Sequence, residues 1–375
     1  MRFFAALLFS LMSLSSLAQS APPPALAAKA WLLVDYGANQ VLAAHNADER
    51  IEPASLTKLM TAYLTFSAFK ANTLTREQVI PVSERAWKMG GSRMFIEPRH
   101  AVTADQLVHG MIIQSGNDAS VALAEAIAGS EEAFAELMNR EAKRLGMTGT
   151  QFRNSTGMPD DQHYTTARDL GVLAMAVIRD FPEDYRLYSE KEYTYNNIRQ
   201  PNRNRLLWMD ATVDGVKTGH TEAAGYCLVS SSVRGPRRLI SVVLGADSDG
   251  VRAQESLKLL NYGFQFFDTV TLYENAAPVS RFRVWQGTAE EVPVGFLNAF
   301  VLSVPKGQAD KLQVSLNSVQ PLEAPVRKGQ EVGAMTLSLD GQAIGTYPVV
   351  ALEEVTLAGW FGRMWDAIRW WIKNL

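Results

Sequence analysis

The chain has 375 residues, is 47% apolar and 20% charged, and carries a formal net charge of −3. That length can bury a full core and divide into more than one domain, and the near-balance of charge gives no basic stripe of the kind a nucleic-acid binder carries. A single cysteine, Cys227, excludes an internal disulfide and leaves stability to core packing; within "GYCLVSSS" it reads as strand interior.

Residues 1–21 place Arg2 before an apolar run from Phe3 to Leu17, then small residues at Ala18, Ser20 and Ala21. That order is a secretory signal peptide, cleaved after Ala18 or Ala21, and it assigns the mature protein to a compartment outside the cytoplasm. An N-terminal core helix is disfavoured because "APPPA" follows at once. "KAWLLVDY" and "NQVLAAHN", separated by Gly37 and Ala38, read as a β-hairpin. From Ser55 to about Phe69 the apolar residues fall at helical spacing. Thr103 and Gln106 form a capping-box pattern, and the run from Ser130 to Gly146 has an N-cap and a C-cap around an amphipathic helix.

After Asp214 the texture changes to short β-rich runs, "GVKTG", "GYCLVSSSV" and "RRLISVVLGA", followed by the helical stretch "RAQESLKLLNYGFQFF". Strands at both ends with helices between predict an α/β or α+β domain over residues 22–268, an antiparallel sheet covered by helices. Residues 269–356 alternate in short runs such as "RFRVWQ", "AFVLSV" and "KLQVSL", which predicts a second, all-β sandwich domain. The last stretch, 357–375, places Trp360, Phe361, Met364, Trp365, Ile368, Trp371, Ile372 and Leu375 on one helical face and Arg363, Asp366, Arg369 and Lys373 on the other. Such a helix suits the plane of a membrane interface and is too short and too charged to span; the alternative is packing on its own domain.

The chemistry concentrates in "EPASLTKLMTAYL". A serine hydroxyl is a poor nucleophile until a base takes its proton, and three residues of helix put Lys58 on the same face as Ser55. The spacing is cheap, because S-x-x-K recurs at Ser67 and Ser303. Ser67 lies on the same helix rotated by about 120°, and Ser303 precedes Pro305 in a β-rich region where no helix can form. "SLTK" stands out through its company, "SGN" at Ser115–Asn117 on a loop between helices and "KTG" at Lys217–Gly219 on a strand. This ordered triple resembles the set found in penicillin-binding proteins and class A β-lactamases.

Through "PASLTK", "QSGNDA", "RQPNRNRLLW", "VDGVKTGHTEAAGY" and "SLKLLNYGFQFF", the chain resembles the low-molecular-mass D-alanyl-D-alanine carboxypeptidases of the penicillin-binding protein 5/6 type over essentially its whole length. The resemblance implies a β-lactamase/DD-peptidase-like fold in which Ser55 attacks the carbonyl between the terminal D-alanines of a peptidoglycan stem peptide. It also implies Lys58 as base, Ser115 as proton relay to the leaving D-alanine, Asn117 as a peptide contact, and Lys217 as a second cation beside Lys58. Thr218, Gly219 and His220 would line the substrate strand, with the backbone N–H groups of Ser55 and His220 as oxyanion hole and Gly219 letting the substrate backbone approach. Arg203 and Arg252 match arginines associated with the substrate's terminal carboxylate. His220 and both arginines have plain readings as surface residues.

The implied partners are the stem peptide, β-lactams as covalent inhibitors and the membrane surface; a homodimer is left open. The implied location is the periplasmic face of the inner membrane, and the β-rich domain is expected to act as a spacer. No cofactor is expected, and the histidines at 45, 100, 109, 163 and 220 lack metal-site spacing. The rivals are a β-lactamase, which would need a deacylating glutamate that "NSTGMPDDQHYTTARDL" lacks, and a non-catalytic peptidoglycan-binding scaffold.

Overall fold

The computed structural model describes residues 22–319, 321–360 and 364. The signal peptide and nearly all of the C-terminal amphipathic helix read from the sequence lie outside those residues. Among the described residues no helix is long and apolar enough to cross a membrane.

The first sheet has five strands in the order Gln40–His45, Ala30–Asp35, Arg237–Ala246, Gly225–Arg234 and Val213–Thr221, antiparallel throughout. Its period-2 pattern divides the apolar residues between two cores. Leu32, Val34, Cys227, Val229, Ile240 and Val242 face the larger one, whereas Trp31, Leu33, Leu228, Leu239 and Val243 face a smaller one closed by helix Asp249–Phe266. Helix Lys58–Lys70 runs through the larger core and is buried on almost every side, so its apolar pattern lacks the polar stripe of a surface helix. The helix expected from Ser130 to Gly146 spans Glu131–Leu145, with the Ser130 hydroxyl accepting the Ala133 N–H and Gly146 left-handed at its end.

The C-terminal region is β-rich. A six-stranded sheet, ordered Leu312–Ser318, Glu331–Leu339, Gln342–Ala351, Glu291–Gly295, Pro278–Trp285 and Leu322–Glu323, shares a core with the pair Phe267–Tyr273 and Phe300–Pro305. Phe282, Val294, Leu302, Val304, Met335 and Leu337 fill that core.

Asp35, buried at the end of its strand, joins the two regions. Its Oδ2 accepts from Thr269 Oγ1 at 2.6 Å and Ser303 Oγ at 2.8 Å, while Oδ1 accepts the Ala38 N–H at 3.1 Å. Arg237 closes the cluster, donating to Thr269 Oγ1 and to the Phe267 carbonyl, each at 2.6 Å. The Ser303 copy of S-x-x-K is thus a strand residue committed to this junction. Lys70, of the Ser67 copy, is exposed and donates to the Asp180 carbonyl. Replacing one partner of a buried, hydrogen-bonded charge leaves the rest unpaired. Asp35→Ala is therefore expected to cost about 3 kcal/mol, measured by urea unfolding. An unchanged midpoint would show that the junction is not held by this carboxylate.

Candidate active site

Ser55 does not lie on the first turn of the α-helix, where its spacing predicts it. It sits on a 3₁₀ turn, Ala54–Thr57, that leads into helix Lys58–Lys70. Ala54 is left-handed at φ 47°, which no α-helix accommodates, and the Leu56 N–H closes back on the Pro53 carbonyl. In a 3₁₀ turn residues i and i+3 eclipse, so the tighter winding stacks Lys58 directly over Ser55.

The Lys58 ammonium is 1% exposed, and three acceptors surround it. Nζ donates to Ser55 Oγ at 3.0 Å, to Asn117 Oδ1 at 2.7 Å and to the Thr156 carbonyl at 2.6 Å. Burial brings its pKa down to about 7; Asp118 and Glu131 work against that shift, and Arg203 adds to it. Lys217, on strand Val213–Thr221, donates to Ser115 Oγ at 2.9 Å and to the Thr218 carbonyl at 3.1 Å. Burial also holds Lys217 well below the ordinary lysine range, with Lys58, Arg203 and Arg252 pushing the same way. Two serine–lysine pairs thus meet, with both amines buried.

Ser115 and Asn117 are brought here by the break between helices Ala104–Ile113 and Asn117–Ala128. Ser115 is left-handed at φ 66°, an uncommon state for serine that turns its hydroxyl toward Lys217. Asn117 is held at both ends of its amide, since Nδ2 donates to the Gly90 carbonyl at 2.8 Å. Next to it the buried Asp118 carboxylate accepts the backbone N–H groups of Met94, Phe95, Ile96 and Ala119. One side chain thereby ties the 94–96 segment to the start of the helix.

A cavity of about 660 Å³ opens in front, lined by Ser55, Ser115, Arg203, Thr218, Gly219 and His220, with Arg252 also in its wall. Lys58, Asn117 and Lys217 lie behind its surface. His220 is exposed, its ring centroid 4.0 Å from that of Tyr226.

Gly219 has a second reason to lack a side chain, beside the substrate approach expected of it. A Cβ there would come within 3.1–3.2 Å of the Pro53 carbonyl oxygen, Ala54 Cβ and Leu56 Cγ, so the missing side chain admits the Ser55 turn against the strand. Arg252 is engaged within the protein. Its Nη1 donates to the Gly219 carbonyl at 2.9 Å and to the Cys227 carbonyl at 3.4 Å, and Nη2 pairs with Asp249. Arg203 spends only Nε, on the Gln114 carbonyl at 3.2 Å. Of these two guanidiniums, Arg203 is the one with both terminal nitrogens unpaired among the described residues.

Sequence reasoning reads the loop that follows Arg153 only for the glutamate it lacks and misses its contact with Lys58. Asn154 Oδ1 accepts from the Thr156 N–H and hydroxyl and from the Gly157 N–H, which shapes a tight turn presenting the Thr156 carbonyl to Lys58. Gly157 is left-handed at φ 84°, and a Cβ there would lie 1.7 Å from the Ala54 carbonyl oxygen. A turn residue, Asn, three before a Gly was the one available signal.

His163 anchors the same loop. Its Nδ1 accepts the Arg153 N–H at 3.3 Å, which leaves Nε2 to donate to Thr57 Oγ1 at 2.9 Å. Burial pushes this imidazole down to about 4. The unfolded chain therefore binds a proton that the folded chain refuses, so His163 costs nothing above the unfolded value and stability falls as pH drops from about 6.5 toward 4. The loss should approach about 3 kcal/mol by pH 4, read from urea unfolding at successive pH values. His163→Asn should flatten that part of the profile; an equally steep slope in the variant would assign the acid sensitivity elsewhere.

The D-alanyl-D-alanine carboxypeptidase family matches residues 17–248, and the C-terminal domain of penicillin-binding protein 5 matches residues 267–357. D-alanyl-D-alanine carboxypeptidase DacC of Escherichia coli (strain K12) is 46% identical over 358 residues, which cover 93% of this chain and 90% of that protein. DacF of Bacillus subtilis (strain 168) is 34% identical over 352 residues, covering 92% and 90%. The crystal structure of penicillin binding protein 5 from Haemophilus influenzae superimposes with a TM-score of 0.87 at 38% identity, over 89% of this chain and 99% of that one. Together with a mixed α/β domain followed by a β-rich one, these matches establish that the chain belongs to the D-alanyl-D-alanine carboxypeptidase family, of the penicillin-binding protein 5/6 type.

Proposed function

We propose that this protein removes the terminal D-alanine from peptidoglycan stem peptides through an acyl-enzyme on Ser55. The observation that carries the reading is Lys58, buried, brought to about 7 and 3.0 Å from the Ser55 hydroxyl. A neutral Lys58 has two protons and one lone pair. The protons go to Asn117 Oδ1 and the Thr156 carbonyl, acceptors that can return none, and the lone pair is left for the Ser55 proton.

In the acylation step, Ser55 Oγ bonds to the carbonyl carbon of the penultimate D-alanine as its proton passes to Lys58. The oxyanion is received by the backbone N–H groups of Ser55 and His220. The C–N bond then breaks as the departing amine takes, through Ser115, the proton that Lys58 accepted, Lys217 holding the Ser115 hydroxyl and Lys58 being left neutral again. Water, giving a proton to Lys58, adds to the ester carbonyl; the C–O bond to Ser55 then breaks as Lys58 returns that proton to Ser55 Oγ, releasing the shortened peptide. Arg203, with two unpaired nitrogens, and the Thr218 hydroxyl suit the terminal carboxylate, and Arg252 fixes the strand that presents Thr218 and Gly219.

β-Lactams would acylate the same serine and leave slowly. Asp249 is the carboxylate lining the cavity among the described residues, and Arg205 and Arg252 already engage it. Intact-mass analysis after penicillin should find an adduct in the parent and none in Ser55→Ala, persisting over many minutes, with D-alanine release lost in the same variant. The acylation rate should fall as pH drops through about 7, where Lys58 takes up a proton. Adduct formation on Ser55→Ala, or rapid turnover of penicillin, would overturn the assignment.

We further infer a periplasmic location on the inner membrane, supported by the apolar leader and the tryptophan-rich C-terminal segment. The β-rich region between cavity and anchor suits a spacer. Removing residues 360–375 should shift the protein from the membrane pellet to the soluble fraction on cell fractionation. Full retention in the pellet would exclude this segment as the anchor.

A further inference from the structure

We propose that Glu131 is a positioning residue for the base Lys58, acting through Ser155 and the Thr156 carbonyl. This rests on the reading of Lys58 as the group that deprotonates Ser55.

Glu131 begins helix Glu131–Leu145 and is 4% exposed, an unusual setting for a carboxylate. Its oxygens divide their work. Oε2 accepts from Arg85 Nη2 at 2.6 Å, and Oε1 accepts both the Ser155 N–H at 3.0 Å and the Ser155 hydroxyl at 2.7 Å. The Ser155 carbonyl is fixed in turn by Thr61 Oγ1 at 2.7 Å, from one turn above Lys58 on the same helix. Every polar atom of Ser155 is thereby committed. The next peptide has little freedom left, because Asn154 Oδ1 holds the N–H groups of Thr156 and Gly157. What this framework presents is the Thr156 carbonyl, 2.6 Å from Lys58 Nζ.

That carbonyl decides where the Lys58 lone pair points. An amine with both protons captured by fixed acceptors cannot rotate, and proton transfer depends steeply on such alignment. If the Thr156 carbonyl drifted, Lys58 would be free to turn a proton toward Ser55 Oγ instead. The negative charge of Glu131 also reaches Lys58, where it favours the ammonium and offsets part of the burial effect. Glu131 therefore acts in two separable ways, by grip and by charge.

Two variants separate them, with penicillin acylation of Ser55 followed by intact mass across pH 5.5–9. Glu131→Gln keeps an oxygen for Ser155 and removes the charge; the acid limb of the acylation profile is expected to move to lower pH, because Lys58 loses a favourable neighbour. Glu131→Ala removes the grip, and its plateau rate is expected to fall about tenfold or more. A purely structural carboxylate would lower thermal stability in both and move the limb in neither. A limb at the parent position in Glu131→Gln, or a parent plateau rate in folded Glu131→Ala, overturns the proposal. Should Glu131→Ala fail to fold, the limb in Glu131→Gln decides. A parent protein that forms no adduct would instead overturn the function of the site, a result distinguishable from either.

Discussion

The site is built around one amine taken out of water. An unpaired ammonium in the protein interior is prohibitively costly, so Lys58 can be buried only if acceptors meet each of its protons or if it gives one up. The fold does both. It supplies Ser55, Asn117 and Thr156 as acceptors, and it removes solvent thoroughly enough to bring the group to about 7. Each acceptor comes from a different stretch of chain. The requirement to surround one nitrogen is what makes the 3₁₀ turn, the break between helices and the Asn154–Gly157 loop converge.

Convergence at that density needs backbones closer than side chains allow. Gly219 and Gly157 both lie against the Ser55 turn, one against Pro53 and Ala54, the other against the Ala54 carbonyl. Ala54 and Ser115 adopt left-handed backbone conformations that their own side chains disfavour. Surrounding contacts hold that strain. Asp118 fastens four N–H groups beside Asn117, and Arg252 draws together the carbonyls of Gly219 and Cys227 on adjacent strands.

The readable parts of the site were those carried by side chains at fixed spacing. Ser55 with Lys58, Ser115 with Asn117, and Lys217 each lie within a short motif, and the helix of Glu131–Leu145 was legible because caps and periodicity are local properties. The alternation of Leu32 and Val34 with Trp31 and Leu33 likewise follows from the strand repeat. Thr156 was not readable, since it contributes a carbonyl that every residue possesses. Nor was the second purpose of Gly219, because a glycine in a strand does not say which neighbour needs the space. Ser55 was expected on the α-helix and lies on a 3₁₀ turn because Ala54 is left-handed, a state that alanine's identity gives no hint of. Glu131 reads from the sequence as an ordinary first-turn acid, and only the packing of Arg85 and Ser155 around it reveals a buried one.

The two lysines and their neighbours set the proton balance of the site. Lys217 is buried like Lys58 and feels its charge, which makes the Lys217 proton less favourable, while Arg203 pushes both amines the same way. Desolvation is the larger cause for each, so the pair would be depressed even if one amine were moved away. Repulsion from Lys58 then adds to the burial of Lys217, and the carboxylates of Asp118 and Glu131 limit how far Lys58 falls. The balance leaves Lys58 at about 7 and Lys217 well below the ordinary lysine range. A base must be free of its proton before the reaction and able to hold one during it, and a pKa near the working pH meets both conditions.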